Sequence, residues 1–318
     1  MHIDRLGETK ILQLIRQIAK KRKKVLVGIG DDACVLNDGK TIITTDSYAE
    51  GVHFDLSYMS FYDVGTRTAC ACLSDVVAMG AQPVALLVAL ALPGKTNAAA
   101  VRELYKGINY VCRKLNCEIG GGDLIAFDKL VLTMTALGEA PKPLLRASAR
   151  PSDLLCLTGY AGLGETGRLL LTRGGGDAKA RKAIRRHLSP LPRIEIMMRL
   201  RHQINALIDT SDGIATDARH IAEMSQVRII LQPEFIPIHP VTQLLTKKLG
   251  LNTIRFCLTA GEDYELLFTT PKTPPSYINN IPVTIIGRVE KGVGIYLEED
   301  KKIPLQVAGY DHFIRRSK

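Results

Sequence analysis

Aspartates recur after glycine, serine or threonine at the ends of short apolar runs, and that recurrence is the most visible chemistry in this chain. Residues 28–54 hold the densest case: Gly-Ile-Gly-Asp31-Asp32, then Thr44-Thr45-Asp46-Ser, then Glu50-Gly-Val-His53-Phe54. Further instances are Ser74-Asp75, Gly120-Gly-Gly-Asp123, Asp209-Thr-Ser211-Asp212-Gly213 and Gly261-Glu262-Asp263-Tyr264. A single Asp in such a setting reads as a turn acid, because its carboxylate bonds nearby backbone. A set is different: like charges at close quarters repel, so converging aspartates need cations to stay ionised together. Hard carboxylate and hydroxyl oxygens suit Mg²⁺ or Ca²⁺ rather than zinc. Metal-bridged binding of a polyanion accounts for the set better than independent turns do. The sequence has no G-x-x-x-x-G-K-[ST] loop, so a nucleotide phosphate would be held through metals and carboxylates.

Strand ends and helix starts must position these acids. Apolar runs at 25–27, 35–36 and 42–43 predict short strands, with Asn37-Asp38-Gly39 turning the hairpin between the latter two. Periodicity predicts helices over 8–20, 63–79, 97–115 (capped by Asn97) and 216–224. Strands are expected at 84–92 (fully buried), 130–137, 154–158, 227–231 and 283–286, and Gly120–Asp123 reads as an acid on a glycine turn. Residues 138–143 form the best boundary, dividing the chain into 1–143 and 144–318. Gly162-x-Gly164-x-x-Gly167 is literally a dinucleotide fingerprint between a strand and a helical run. No acid ends a second strand about twenty residues on, so a nicotinamide site is not expected.

Composition sets the frame. At 318 residues, 46% hydrophobic and 23% charged, the chain is long enough for two globular domains. Its first residues lack the apolar core of a signal peptide, and its longest apolar run, 84–92, is far shorter than a membrane span. Seven scattered cysteines without zinc-finger spacing read as reduced thiols in a cytoplasmic protein. The net charge of +10 concentrates at 20–24, 173–201 and 315–318. Without interleaved aromatic residues or any Trp, these runs do not read as a nucleic-acid surface. Solvated helix faces are the ordinary reading of such runs, and a field attracting an anionic small molecule is as consistent with the charge as nucleic acid is.

The motifs, taken together, resemble the thiamine-monophosphate kinase family, within the superfamily that includes aminoimidazole ribonucleotide synthetase. The matching segments are those named above, with Ala78-Met79-Gly80-Ala81, Arg146, Arg186-His187-Leu188 and Gly309-Tyr310-Asp311-His312-Phe313, in family order along almost the whole chain. The resemblance implies an α+β protein of two domains: an N-terminal synthetase-like domain whose strands form a barrel across a homodimer, and a C-terminal α/β sandwich. It implies several Mg²⁺ ions held by Asp32, Thr44, Thr45, Asp46, Asp75, Asp123, Asp209 and Asp212. It implies ATP contacts from Tyr105, Gly122, Asp123, Arg146 and Ser211, and thiamine phosphate contacts from His53, Glu262 and Tyr310. Asp31 carries no metal role in that pattern and reads as a turn or cap acid. Three positions depart from it: Cys72 stands for Asn, Leu124 for Thr and Gly164 for Ser. Phosphorylation of thiamine phosphate by ATP is the expected reaction. Another ATP-dependent synthetase or cyclase of the superfamily is the enzymatic alternative, and a basic nucleotide- or RNA-binding protein the non-enzymatic one.

Overall fold

The computed structural model describes residues 7–19, 23–175, 178 and 180–305, and only the backbone of Glu8 and Thr9. The predicted tail segment containing Tyr310 lies outside the described residues. No helix among the described residues is long and apolar enough to cross a membrane.

The first half begins with α1 (Gly7–Ile18) and the short strands β1 (Val25–Val27) and β2 (Cys34–Leu36). It continues through β3 (Thr41–Ala49), α2 (Phe61–Ala78), β4 (Gln82–Leu92), α3 (Ala98–Leu115), β5 (Glu118–Ala126) and β6 (Val131–Glu139). The strands form one curled sheet in the order β1-β2-β3-β6-β4-β5. The hairpin expected at Asn37-Asp38-Gly39 forms, and β3 then runs the full length of β6, with Asp46 opposite Met134. A capping box starts α2: Ser60 Oγ accepts from the Asp63 amide, while the Ser60 amide donates to Asp63. Asn97 caps α3 as expected, accepting from the Ala99 amide at 2.8 Å.

Two glycines let α2 and α3 touch backbone to backbone. A Cβ on Gly65 would lie 2.0 Å from the Leu104 carbonyl oxygen, and one on Gly107 would lie 2.2 Å from that of Tyr62. This close pair covers one face of the sheet, and Leu73, Val76, Leu104 and Ile108 join Leu86, Leu132 and Met134 in a single core.

Two expectations fail here. Gly120–Asp123 is no turn: it is the middle of β5, paired in parallel with β4 at the sheet edge. Nor is β4 buried on both sides, since Val84 and Leu87 are exposed and burial alternates along it. Pairing with β4 extends the glycine segment as an edge strand, and β4 keeps one open face because the helices cover only the other.

The second half contains β7 (Leu154–Thr158), α4 (Leu163–Thr172), α5 (Arg181–Leu188), α6 (Ile194–Leu200), β8 (Leu207–Asp209) and α7 (Ile214–Ser225). Then come β9 (Arg228–Leu231), α8 (Pro240–Lys248), α9 (Thr253–Thr259), β10 (Leu266–Thr270), β11 (Tyr277–Ile278), β12 (Ile281–Glu290), β13 (Gly294–Glu298) and β14 (Lys302–Pro304). Its sheet runs β14-β13-β9-β12-β7-β10-β8, with β11 beside β12, over a core of its own. A smaller apolar cluster joins Val77 and Leu144 to Cys156, Met197 and Phe268, tying the two halves together.

Candidate active site

Acids from both halves meet at one point. Asp32 follows β1, Asp75 lies in the last turns of α2, and Asp209 ends β8; their carboxylates offer oxygens that all lie within 4.8 Å of one another. Strand alternation sends Thr44 and Asp46 to the covered face of β3 and Thr45 to the other. Thr44 Oγ1 donates to Asp75 Oδ2 at 2.8 Å, and Tyr48 donates its hydroxyl to Asp46 Oδ2 at 2.9 Å. Ser74 donates to Asp209 Oδ2 at 2.5 Å, linking α2 to the second half. Arg146, in the connection between halves, donates through Nε and Nη2 to the two oxygens of Asp32, at 3.2 and 2.5 Å.

The electrostatics follow from the crowding. Burial, and then the charges of Asp46, Asp209 and Asp32, push the Asp75 carboxyl well above the ordinary range. Asp209 is raised to about 7 by burial and by Asp32, and Asp46 is raised chiefly by burial. Asp31, whose carboxylate accepts from the Asp32 amide, is lifted to about 6 by burial and by its neighbour. Oδ1 of Asp209 is buried without a hydrogen-bond partner among the described residues, as are both oxygens of Asp217. Orphaned buried carboxylate oxygens beside other carboxylates fit a hard divalent cation. Beside the cluster, a cleft of about 750 Å³ is lined by Arg16, Gly28, Asp31, Asp32, Thr44 and Thr45.

A second feature is the segment from Glu262 to Glu265. Glu262 and Tyr264 both hold positive φ, 62° and 48°, a conformation that costs non-glycine residues energy and needs support. Support comes from Arg186, which donates to the carbonyls of Asp263 and Tyr264 at 2.7 and 2.8 Å. Asp263 accepts from the amides of Gly162 and Gly164 at 2.5 and 2.7 Å. The start of α4 thus already holds an internal carboxylate, so the fingerprint-like glycines bind no dinucleotide phosphate. Glu262 itself pairs with Arg67 of α2 at 2.7 Å. A Cβ on Gly164 would stand 2.7 Å from the Glu262 carbonyl oxygen. Glycine here, where the resemblance expects Ser, lets this segment lie directly on α4.

The remaining expected residues are more scattered. Thr45 bonds across β6 to Thr135 at 3.1 Å, away from the cluster. Asp123 and Gly122 are exposed on β5, and the same strand carries Leu124. Tyr105 is half-buried on α3. His53 Nδ1 accepts from the Ala49 amide at 3.1 Å, its ring edge-on to Tyr48, so it stands one residue behind Asp46. Ser211 and Asp212 lie between β8 and α7, where the Ser211 carbonyl accepts from the Glu262 amide at 2.8 Å. Cys72 is buried, with Sγ 3.6 Å from the Met134 carbonyl. Sequence reasoning missed Arg67, Tyr48 and Asp217 as members of the site. Arg67 had no local signal, while Asp217, in the first turn of α7 four residues after Gly213, could have been read as a further member of the acid set.

Comparisons with known proteins decide the family. Residues 30–140 match the AIR synthase related protein, N-terminal domain family. The thiamine-monophosphate kinase of Aquifex aeolicus is 32% identical, over 98% of this chain and all of that protein. That of Bacillus subtilis is 33% identical over 97% of this chain. The chain belongs to the thiamine-monophosphate kinase family. The solved complex of AaThiL with AMPPCP and TMP, 32% identical, superposes with a TM-score of 0.89 over 98% of this chain and 99% of that one. Family and fold therefore agree across both halves.

Proposed function

We propose that this protein transfers the γ-phosphoryl group of ATP directly to the phosphate of thiamine phosphate, forming thiamine diphosphate. The carrying observation is the carboxylate cluster of Asp32, Asp75 and Asp209, drawn from both halves of a chain in this family. The two substrates bring about six negative charges near neutral pH. Carboxylates crowded as these are face such a load only with cations among them. The buried, partnerless Oδ1 of Asp209 suits Mg²⁺. Asp32, Thr44, Asp46, Asp75 and Asp209 would hold it, with Asp212 close to Asp209 in sequence; Thr45 and Asp123, which lie away from this cluster, would serve further ions among the bound phosphates. When bound, Mg²⁺ neutralises charge on the phosphoryl group in transit.

The chain's own residues do the positioning. Tyr48 fixes Asp46, Ser74 fixes Asp209, and Arg146 holds Asp32 while standing ready for a phosphate oxygen. Tyr105, Gly122 and Ser211 contact the nucleotide. Glu262, anchored by Arg67, and His53 and Tyr310 contact the acceptor. The acceptor is already an anion, so in-line attack needs no strong general base. The exposed apolar face of β4 and β5, with Leu87 37% and Ile125 55% exposed, supports a homodimer in which the N-terminal sheets of two copies close a barrel. The seven free cysteines suit the reducing cytoplasm, and 143/144 is taken as the division between domains.

Incubation with ATP, Mg²⁺ and thiamine phosphate, followed by chromatography, should yield thiamine diphosphate and ADP in equal amounts. ADP formed with free inorganic phosphate and no thiamine diphosphate would sink the reading.

A further inference from the structure

A second cluster of charge lies away from the aspartates and shares no residue with them. A cavity of about 250 Å³ opens beside the start of α5 and β12, lined by Tyr160, Lys182, Arg185, Arg186, Arg193 and Glu265 among others. Four cations therefore face one carboxylate.

That carboxylate is already saturated. Glu265 accepts from Thr158 Oγ1 at 2.6 Å and from Arg193 Nε at 2.7 Å, takes a second bond from Arg193 Nη2, and pairs with Arg186 at 3.3 Å. The two guanidiniums hold it down at about 2 despite its burial. Arg186 spends its remaining donors on backbone carbonyls, including that of Leu191 at 3.1 Å. Arg193 Nη1 has no hydrogen-bond partner among the described residues, though its side chain is only 18% exposed. At the rim Lys182 sits 4.3 Å over the ring of Tyr160, which His239 braces edge-on at 5.1 Å. Burial and the charge of Arg193 lower the Lys182 pKa. Arg185 has no acidic partner among the described residues. Withdrawn positive charge in excess of its counter-charge is unfavourable unless an anion completes it.

We propose that this cavity binds a small phosphate-class oxyanion, with Arg193, Lys182 and Arg185 as its donors. The volume lies below the roughly 300–1,000 Å³ of drug-sized sites, which favours a phosphate or diphosphate group over a whole nucleotide. Planar guanidinium forks and an ammonium suit such oxygens.

The test is calorimetric titration of the whole protein with inorganic phosphate, pyrophosphate and ADP, each in EDTA. Without divalent cations the aspartate cluster repels these anions, so heat reports the second cavity. Wild type should show one saturable site for pyrophosphate. The rim variant Lys182→Ala/Arg185→Ala should weaken it by about tenfold per lost charge-assisted hydrogen bond, with an unchanged melting temperature. Asp75→Asn should bind as wild type does. If only ADP binds, the site takes a whole nucleotide and the small-oxyanion proposal falls. No saturable heat in wild type with any of the three, or equal binding by the rim variant, would overturn it.

Discussion

Asp75 faces three other carboxylates and a threonine hydroxyl from a half-buried position. Replacing it by Asn keeps volume and removes one charge, so the metal-free protein should melt no lower than wild type while turnover falls about 10²–10³-fold, the scale of losing one preorganised electrostatic group. Circular dichroism and a coupled ADP assay check both halves of that expectation; near-normal turnover at ordinary Mg²⁺ would remove Asp75 from the site. Glu265 behaves in the opposite way, because its neighbours are cations. Glu265→Gln leaves Arg186 and Arg193 without their counter-charge and should cost about 3–5 kcal/mol in urea unfolding. The sign with pH follows. Its folded pKa is depressed to about 2 from 4.5, so its contribution is present above 4.5 and fades as pH falls toward 2. The stability gap between wild type and Glu265→Gln should narrow over that interval; a constant gap would mean that Glu265 acts through packing instead of charge.

At the level of elements, the outer face of β4 and β5 and the α2–α3 contact carry separate consequences. Leu87 and Ile125 are exposed on that outer face in a single chain, a patch soluble proteins cover when they can. Ile125→Asp should convert a dimer to monomers in light scattering, with secondary structure kept; an unchanged mass would place the interface elsewhere. Gly107→Ala pushes a methyl against the Tyr62 carbonyl and should cost about 1–3 kcal/mol, again by urea unfolding. These elements also mark where sequence was and was not enough. The hairpin at Asn37–Gly39 and the cap Asn97 are local chemistry, so they are legible from a few residues. The strand through Gly120–Asp123 is not. Glycine has little preference for strands, and only pairing with β4, distant in the chain, extends it.

For the whole molecule the same division holds. Asp32, Asp46, Asp75 and Asp209 were legible because each stands at an apolar run's end, and the fold gathers them. Arg67 and Asp217 were not, because buried helix positions acquire a role only from what packs opposite. Since the cluster joins both halves, the Mg²⁺ proposed there would bind the assembled protein and not its unfolded chain. It should raise the melting temperature with concentration, and the rise should shrink in Asp75→Asn. A scan insensitive to Mg²⁺ would argue against a resident cation.

The bond from Ser74 to Asp209 also has a kinetic side. Residues bearing Asp32, Asp46 and Asp75 leave the ribosome before the strand that ends in Asp209, and N-terminal units fold first. Docking the second half therefore brings a fourth carboxylate onto three already in place, late and against repulsion. Divalent cations should lower that last barrier. In stopped-flow refolding from urea, a slow phase should accelerate with Mg²⁺ in wild type and lose its Mg²⁺ dependence in Asp209→Asn, making the ion an assembly factor as well as a partner in phosphoryl transfer.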